Sequence, residues 1–170
     1  MIGQTISHYK ILEKIGQGGM GVVYKAEDTK LKRTVALKFL LPQALETEEE
    51  KIRFVREAQA AAALDHPNIS TIYEVDEAEG KTFIAMAYIE GQTLKKKIKS
   101  GPLKLSETLD IAIQVAEGLK EAHQRGTNIQ LNLFPICTAY RRDKGGNLTG
   151  VCLWLKNIED EDGLFPLCFG

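Results

Sequence analysis

Three closely spaced glycines, a lysine inside an apolar strand and a carboxylate on the helix that follows are the residues with chemistry to offer. The glycines are Gly16, Gly18 and Gly21 of "IGQGGMGVVYKA", a G-x-G-x-x-G spacing. Without Cβ atoms such a loop can bring its backbone N–H groups close to phosphate oxygens. Dinucleotide-binding folds use the same spacing, but there the loop opens a helix and an acidic residue follows about 20 positions on. Here Val22, Val23 and Tyr24 continue as strand. A Walker A loop needs Gly-Lys-Ser/Thr, and valine follows Gly21. What remains is a glycine flap between antiparallel strands, closing over phosphates or serving only as a hairpin.

Lys38 lies in "VALKFL". Strand alternation places Ala36 and Lys38 on one face and Val35 and Leu37 on the other. An ammonium in such company either has anionic partners or snorkels to solvent at a strand edge. Glu57, after Arg56 on the next helix, is the natural partner and could hold Lys38 toward phosphate oxygens. A solvated helix carboxylate is the alternative.

The elements that must position these groups are legible from periodicity. Tyr9–Ile15 and Val22–Ala26 are predicted strands around the glycine cluster, and 32–40 is a third, broken by Pro42. Residues 47–64 form a predicted helix with acidic residues in its first turn and a buried stripe at Ile52, Val55, Ala58 and Ala62. "DHPN" stops it. Residues 69–75 and 81–89 are two more strands around an acidic, glycine-containing turn. A short basic helix follows at 94–99. Ser106 then caps a longer helix whose apolar face includes Leu109, Ala112, Ala116 and Leu119. The order β-β-β-α-β-β followed by helices indicates an α+β layer and then a helical one.

The totals narrow the function classes. The chain has 170 residues, 44% apolar and 26% charged, with a net charge of −1. That balance describes a globular domain and argues against nucleic acid as a partner, which needs a basic excess. No membrane segment is expected, because no apolar run reaches the ~18 residues a span needs. The opening "MIGQTISHYK" has no apolar leader core, so a cytoplasmic location is expected. Cys137, Cys152 and Cys168, spaced 15 and 16 apart, match neither a zinc pattern nor CxxC and read as free thiols.

Taken together, these motifs resemble the protein kinase family, especially the serine/threonine kinases of bacteria, in order from about residue 9 to 126. "GQGGMGVVYKA" resembles the nucleotide loop and "VALK" the third-strand lysine motif. "REAQAAAALDHPNI" is similar to the regulatory helix and its exit, "FIAMAYIEGQTL" to the fifth strand and hinge, and "AIQVAEGLKEAHQRG" to the helix entering the second lobe. The fold this implies is α+β: a kinase-like N-lobe with a five-stranded antiparallel sheet and one long helix, then a truncated helical C-lobe. The implied division is 1–90 as N-lobe, 91–126 as hinge exit and first C-lobe helices, and 127–170 as a non-family tail.

The resemblance also implies roles. Lys38, paired with Glu57, would contact the α- and β-phosphates of ATP. Ile15, Gly16, Gln17, Gly18, Gly19, Met20, Gly21, Val22 and Val23 would cover the nucleotide, and Val23 and Ala36 would line the adenine pocket. Met86 takes the gatekeeper position. The Ala87 carbonyl and the Ile89 N–H would read the adenine edge. Glutamate often stands in the family where this chain has Ala87, a departure of little consequence for backbone recognition. The activity implied is ATP-dependent phosphorylation of protein serine or threonine.

After "AHQRG" the family supplies H-R-D-x-x-x-x-N, whose aspartate accepts the substrate proton and whose asparagine helps hold Mg2+. This chain reads "TNIQLNLFPICTAY", with Leu131 at the aspartate position and Ile136 at that of the asparagine. The D-F-G motif is also missing at its usual distance, and the final Cys168-Phe169-Gly170 comes too late. No metal ligands are expected. The only tryptophan and all three cysteines fall beyond Thr127, which suggests a reading-frame slip or a fused segment. The chain is therefore expected not to transfer the phosphoryl group of ATP and to bind the nucleotide only poorly, since in the family half of the adenine site comes from the second lobe. The alternative is a pseudokinase-like nucleotide-binding or interaction module.

Overall fold

The computed structural model describes residues 1–18, 21–41, 47–125, 139–142 and 148–152. The chain divides into two compact units. The first comprises Met1–Ala62, Thr71–Tyr88 and Gly163–Gly170, the last lying outside the described residues. The second comprises Ala63–Ser70 and Ile89–Asp162.

Among the described residues of the first unit, six strands form one antiparallel sheet: β1 (Thr5–Ile6), β2 (Tyr9–Gly18), β3 (Gly21–Asp28), β4 (Arg33–Leu40), β5 (Ile72–Ala78) and β6 (Lys81–Ala87). Their order across the sheet is β1-β2-β3-β4-β6-β5. The sequence predicts five strands. The sixth, β1, is two residues long and has no alternation to reveal it. It exists because the chain folds back through Ser7 (φ 53°) to pair Thr5 with Lys10 and Ile6 with Tyr9. The glycine cluster does not interrupt the strands as expected: β2 runs on to Gly18 and β3 starts at Gly21, with those two glycines paired.

One face of the sheet is sealed by Ile6, Tyr9, Ile11, Tyr24, Ala26, Val35, Leu37, Phe39, Phe83 and Ala85. The alternation read around Lys38 is therefore the one adopted: Val35, Leu37 and Phe39 enter this core, and Ala36 and Lys38 take the opposite face. Between β5 and β6, Glu79 and Gly80 both have positive φ (55° and 70°), the geometry of a two-residue type I′ hairpin turn.

Helix α1 (Glu48–Ala62) packs on β5. Its start is a reciprocal capping box: the Glu50 amide donates to Thr47 Oγ1 (3.2 Å), and the Thr47 amide donates to Glu50 Oε2 (2.8 Å). The predicted stripe is only partly buried. Ala58 is buried and Val55 half-buried, but Ile52 and Ala62 are exposed.

The turn from β3 to β4 is organised by Asp28, which is 1% exposed. Its Oδ1 accepts from the amides of Lys30 (3.1 Å) and Leu31 (3.0 Å), and its Oδ2 accepts from Arg33 Nε (3.3 Å). Burial by itself raises this carboxyl. The Leu31 amide, the Arg33 guanidinium, the Lys30 amide and His8 outweigh it and hold the group below the usual carboxylate range. A carboxylate whose folded pKa is depressed stabilises the protein above its unfolded pKa of about 3.9 and loses that contribution as pH falls through the folded value. Urea midpoints measured downward from pH 6 are expected to drop in acid, and Asp28→Asn to flatten that limb. Parallel acid limbs in the two proteins would refute the assignment.

The second unit contains β7 (Gln92–Thr93), α2 (Leu94–Lys99), α3 (Leu105–Gln124), β8 (Ala139–Arg142) and β9 (Leu148–Cys152). Thr93 caps α2, its Oγ1 accepting from the Lys96 amide at 3.2 Å. Ser106 does not cap α3. The first helical bond runs from the Thr108 amide to the Lys104 carbonyl (2.9 Å), so Lys104 is the cap residue and makes no side-chain cap bond.

The buried side of α3 also differs from expectation. Leu119 is buried as expected, but Leu109 is 53% exposed, and Ala112 and Ala116 are exposed too; Ile111, Gly118 and Ala122 are buried instead. The helix has apolar residues on two sides, and its neighbours select one. Leu94 and Leu103 gather at Ile111, and Leu64 and Ile69 at Leu119 and Ala122. Within the tail, β8 and β9 pair antiparallel and β7 adds a third strand. The alternating stretch "NIQLNL" lies outside the described residues.

Candidate nucleotide site

Directly opposed residues of antiparallel strands share a face, so the register defines the surface opposite the core. One row across it is Glu13, Lys25, Ala36, Met86 and Ile72. The next is Gly16, Val23, Lys38, Ile84 and Val75. A third pairs Gly18 with Gly21 and Gly21 with Leu40. The structure thus brings Gly16, Val23, Ala36, Lys38 and Met86 together on one surface next to the glycine hairpin. These residues come from four strands and are far apart in the sequence.

Lys38 is not at an edge. β4 lies inside the sheet between β3 and β6, and Lys38 is 8% exposed. Neither Lys38 nor Glu57 is unpartnered. Glu57 is half-buried on α1. A lysine held at such depth keeps its charge only with polar or anionic company.

The remaining predicted residues have different placements. Val22 packs against the core on the opposite face from Val23. Ile15 is 36% exposed and occupies the bulge between Lys14 and Gly16. Gln17 accepts from Lys14 Nζ at 2.6 Å. Gly19 and Met20 lie outside the described residues. Ala87 pairs with Val35, and its amide donates to the Thr71 carbonyl at 2.9 Å. Ile89 is the first residue after the segment Thr71–Tyr88 of the sheet unit.

Two features were not anticipated. A Cβ built on Gly21 would meet the Phe39 carbonyl oxygen at 2.1 Å, so this glycine is required by strand approach as well as by any ligand. Lys25 Nζ is 3.3 Å from Glu13 Oε1 and 4.8 Å from the centroid of the Tyr88 ring. Opposite charges on the two arms of a hairpin were a signal for the first contact. Nothing local announces the second.

An antiparallel sheet of this order, with a glycine hairpin at one end, a buried lysine on its inner strand and one long helix packed on it, is the small lobe of a protein kinase fold. Residues 9–129 match the protein kinase domain family, and the chain belongs to that family. It is 46% identical over 128 residues to a probable serine/threonine-protein kinase of Clostridium acetobutylicum, and 47% identical over 126 residues to the serine/threonine-protein kinase PrkC of Bacillus subtilis. These matches take in 74% and 73% of this chain, which spans about a fifth of the length of either relative. The PknI kinase domain of Mycobacterium tuberculosis superposes with a TM-score of 0.76 at 29% identity, covering 91% of this chain and 61% of that one.

Proposed function

We propose that this chain is a nucleotide-binding module of the serine/threonine kinase type that holds ATP under its glycine hairpin without transferring the γ-phosphoryl group. The observation that carries the reading is the burial of Lys38 on an interior strand, sharing a sheet face with Gly16, Val23, Ala36 and Met86. In this arrangement the Lys38 ammonium, steadied by Glu57, neutralises the α- and β-phosphates. Residues 15–23 cover the nucleotide, and Val23 and Ala36, on the same sheet face, line the adenine pocket from one side. Met86 limits the depth of the pocket, and the backbone at Ala87 and Ile89 reads the adenine edge.

The family's Mg2+ would neutralise phosphate charge when bound, but the donor set here does not fit it. Leu131 and Ile136 stand where the aspartate and asparagine belong, and hydrocarbon side chains offer no oxygen. Phosphoryl transfer depends on positioning and charge neutralisation, and the proton acceptor is missing as well. The loss of these groups favours a pseudokinase-like nucleotide-binding or interaction role. No described helix is long and apolar enough to cross a membrane. The change of character from Thr127 fits a frame slip or a fused segment, which H-R-D and D-F-G codons in another frame of the gene would reveal.

The test is ADP and ATP binding by calorimetry and thermal shift. Ligand at about 100 times its Kd is expected to stabilise the protein by about 2.7 kcal/mol. Lys38→Met is expected to weaken ATP binding about ten- to a hundred-fold, the loss of one charge-assisted contact to phosphate. No label from γ-labelled ATP should enter protein. An absence of nucleotide-dependent stabilisation overturns the binding reading; label incorporation that Lys38→Ala abolishes overturns the inactive one.

A further inference from the structure

The hinge segment leaves the sheet at Tyr88, and its ring is the only large side chain between Met86 and Ile89. Lys25 of β3 lies over that ring, with its Nζ 4.8 Å from the centroid. The same ammonium is 3.3 Å from Glu13 Oε1 of β2. The Glu13 contact depends on a bulge. Ile11 pairs with Ala26 and Glu13 with Lys25, so Leu12 is the extra residue and is 40% exposed. Without that insertion Leu12 would oppose Lys25 and no ion pair would form. Glu13 and Tyr88 both raise the Lys25 ammonium above its ordinary value.

We propose that Glu13, Lys25 and Tyr88 form a clamp that fixes the hinge backbone against the sheet and so positions the groups that read the edge of a purine base. The three are positioning residues. Lys25 shares its row with Ala36 and Met86, and the clamp therefore stands on the strand that roofs the base site. The backbone bond from the Ala87 amide to the Thr71 carbonyl (2.9 Å) ties the same segment from its other side. With Ala87 held by its amide and Tyr88 by its ring, the carbonyl between them has little freedom to turn. A base edge then meets a preformed acceptor, and ordering cost on binding falls.

The proposal rests on the nucleotide reading, and its experiment separates the two. The full chain and the variants Lys25→Met, Lys25→Arg, Tyr88→Ala and Tyr88→Phe are compared for ADP affinity, inorganic tripolyphosphate affinity and amide hydrogen exchange at residues 86–89. Lys25→Met and Tyr88→Ala are expected to weaken ADP by about five-fold, the size of one cation–π contact, and to speed exchange in the hinge. Tripolyphosphate, which has no base, should bind all five proteins alike. Lys25→Arg keeps the cation and should behave as wild type, while Tyr88→Phe keeps the ring but not the phenol oxygen that also acts on Lys25, and should lose less ADP affinity than Tyr88→Ala. Unchanged ADP affinity in Lys25→Met overturns the clamp, as does an equal loss for ADP and tripolyphosphate. Wild-type protein that binds no ADP overturns the nucleotide reading itself.

Discussion

Phe83→Ala is expected to cost the sheet unit about 3–5 kcal/mol, the range for removing a fully buried phenyl ring. Phe83 is 0% exposed on β6, and its ring meets Tyr9 edge-on at 5.9 Å and Phe39 at 5.5 Å. Tyr24 extends the group through an edge contact with Phe39 at 5.8 Å. These aromatics come from β2, β3, β4 and β6, so one ring joins strands that are separated in sequence. Loss of the ring leaves a void among stiff neighbours paired by their backbones, which cannot collapse to fill it. Domains of this kind have only about 5–15 kcal/mol of total stability, and the variant should lose a large part of it. The urea midpoint measures the effect, with Phe83→Leu as the milder comparison at about 1 kcal/mol. Equal midpoints for the alanine and leucine variants would mean that the core is not centred on this ring.

Gly21→Ala is expected to cost about 3 kcal/mol for a different reason, overpacking against backbone. The added methyl would come within 2.1 Å of the Phe39 carbonyl oxygen and 3.1 Å of its carbon. Neither atom belongs to a side chain that can rotate away, so β3 and β4 must separate where Gly21 faces Leu40. That opening lies at the root of the glycine hairpin and should weaken nucleotide binding along with the fold. Gly3→Ala provides the contrast. Gly3 has φ +82° but nothing within 4 Å of an added Cβ, leaving only backbone strain of about 1 kcal/mol. If the two alanine variants melt together, the close approach at Gly21 has no energetic weight.

The strands carrying Lys38 and the glycine spacing were legible because period-two alternation and glycine punctuation are local signals. The same locality explains the errors. Ser106 is a good cap by type, but the helix closes its first bond two residues earlier, on Lys104. Thr47 and Glu50 formed a capping box that the sequence displayed as T-x-x-E and that periodicity alone passed over. The Lys25–Tyr88 contact spans the distance from β3 to the hinge, and no spacing rule reaches that far.

The sequence by itself determined which residues alternate, where the glycines fall, and that a lysine sits on a strand with a carboxylate on the helix after it, because these follow from residue type and neighbouring positions. The tertiary structure decided which apolar side of α3 is buried, choosing Ile111 and Ala122 over Leu109 and Ala112. It also decided that β4 is interior, which removes Lys38 from any edge, and that two bulges in β2 bring Glu13 and Gly16 into line with Lys25 and Val23. Burial and register depend on what packs from elsewhere in the chain, and a local pattern contains both alternatives until that neighbour arrives.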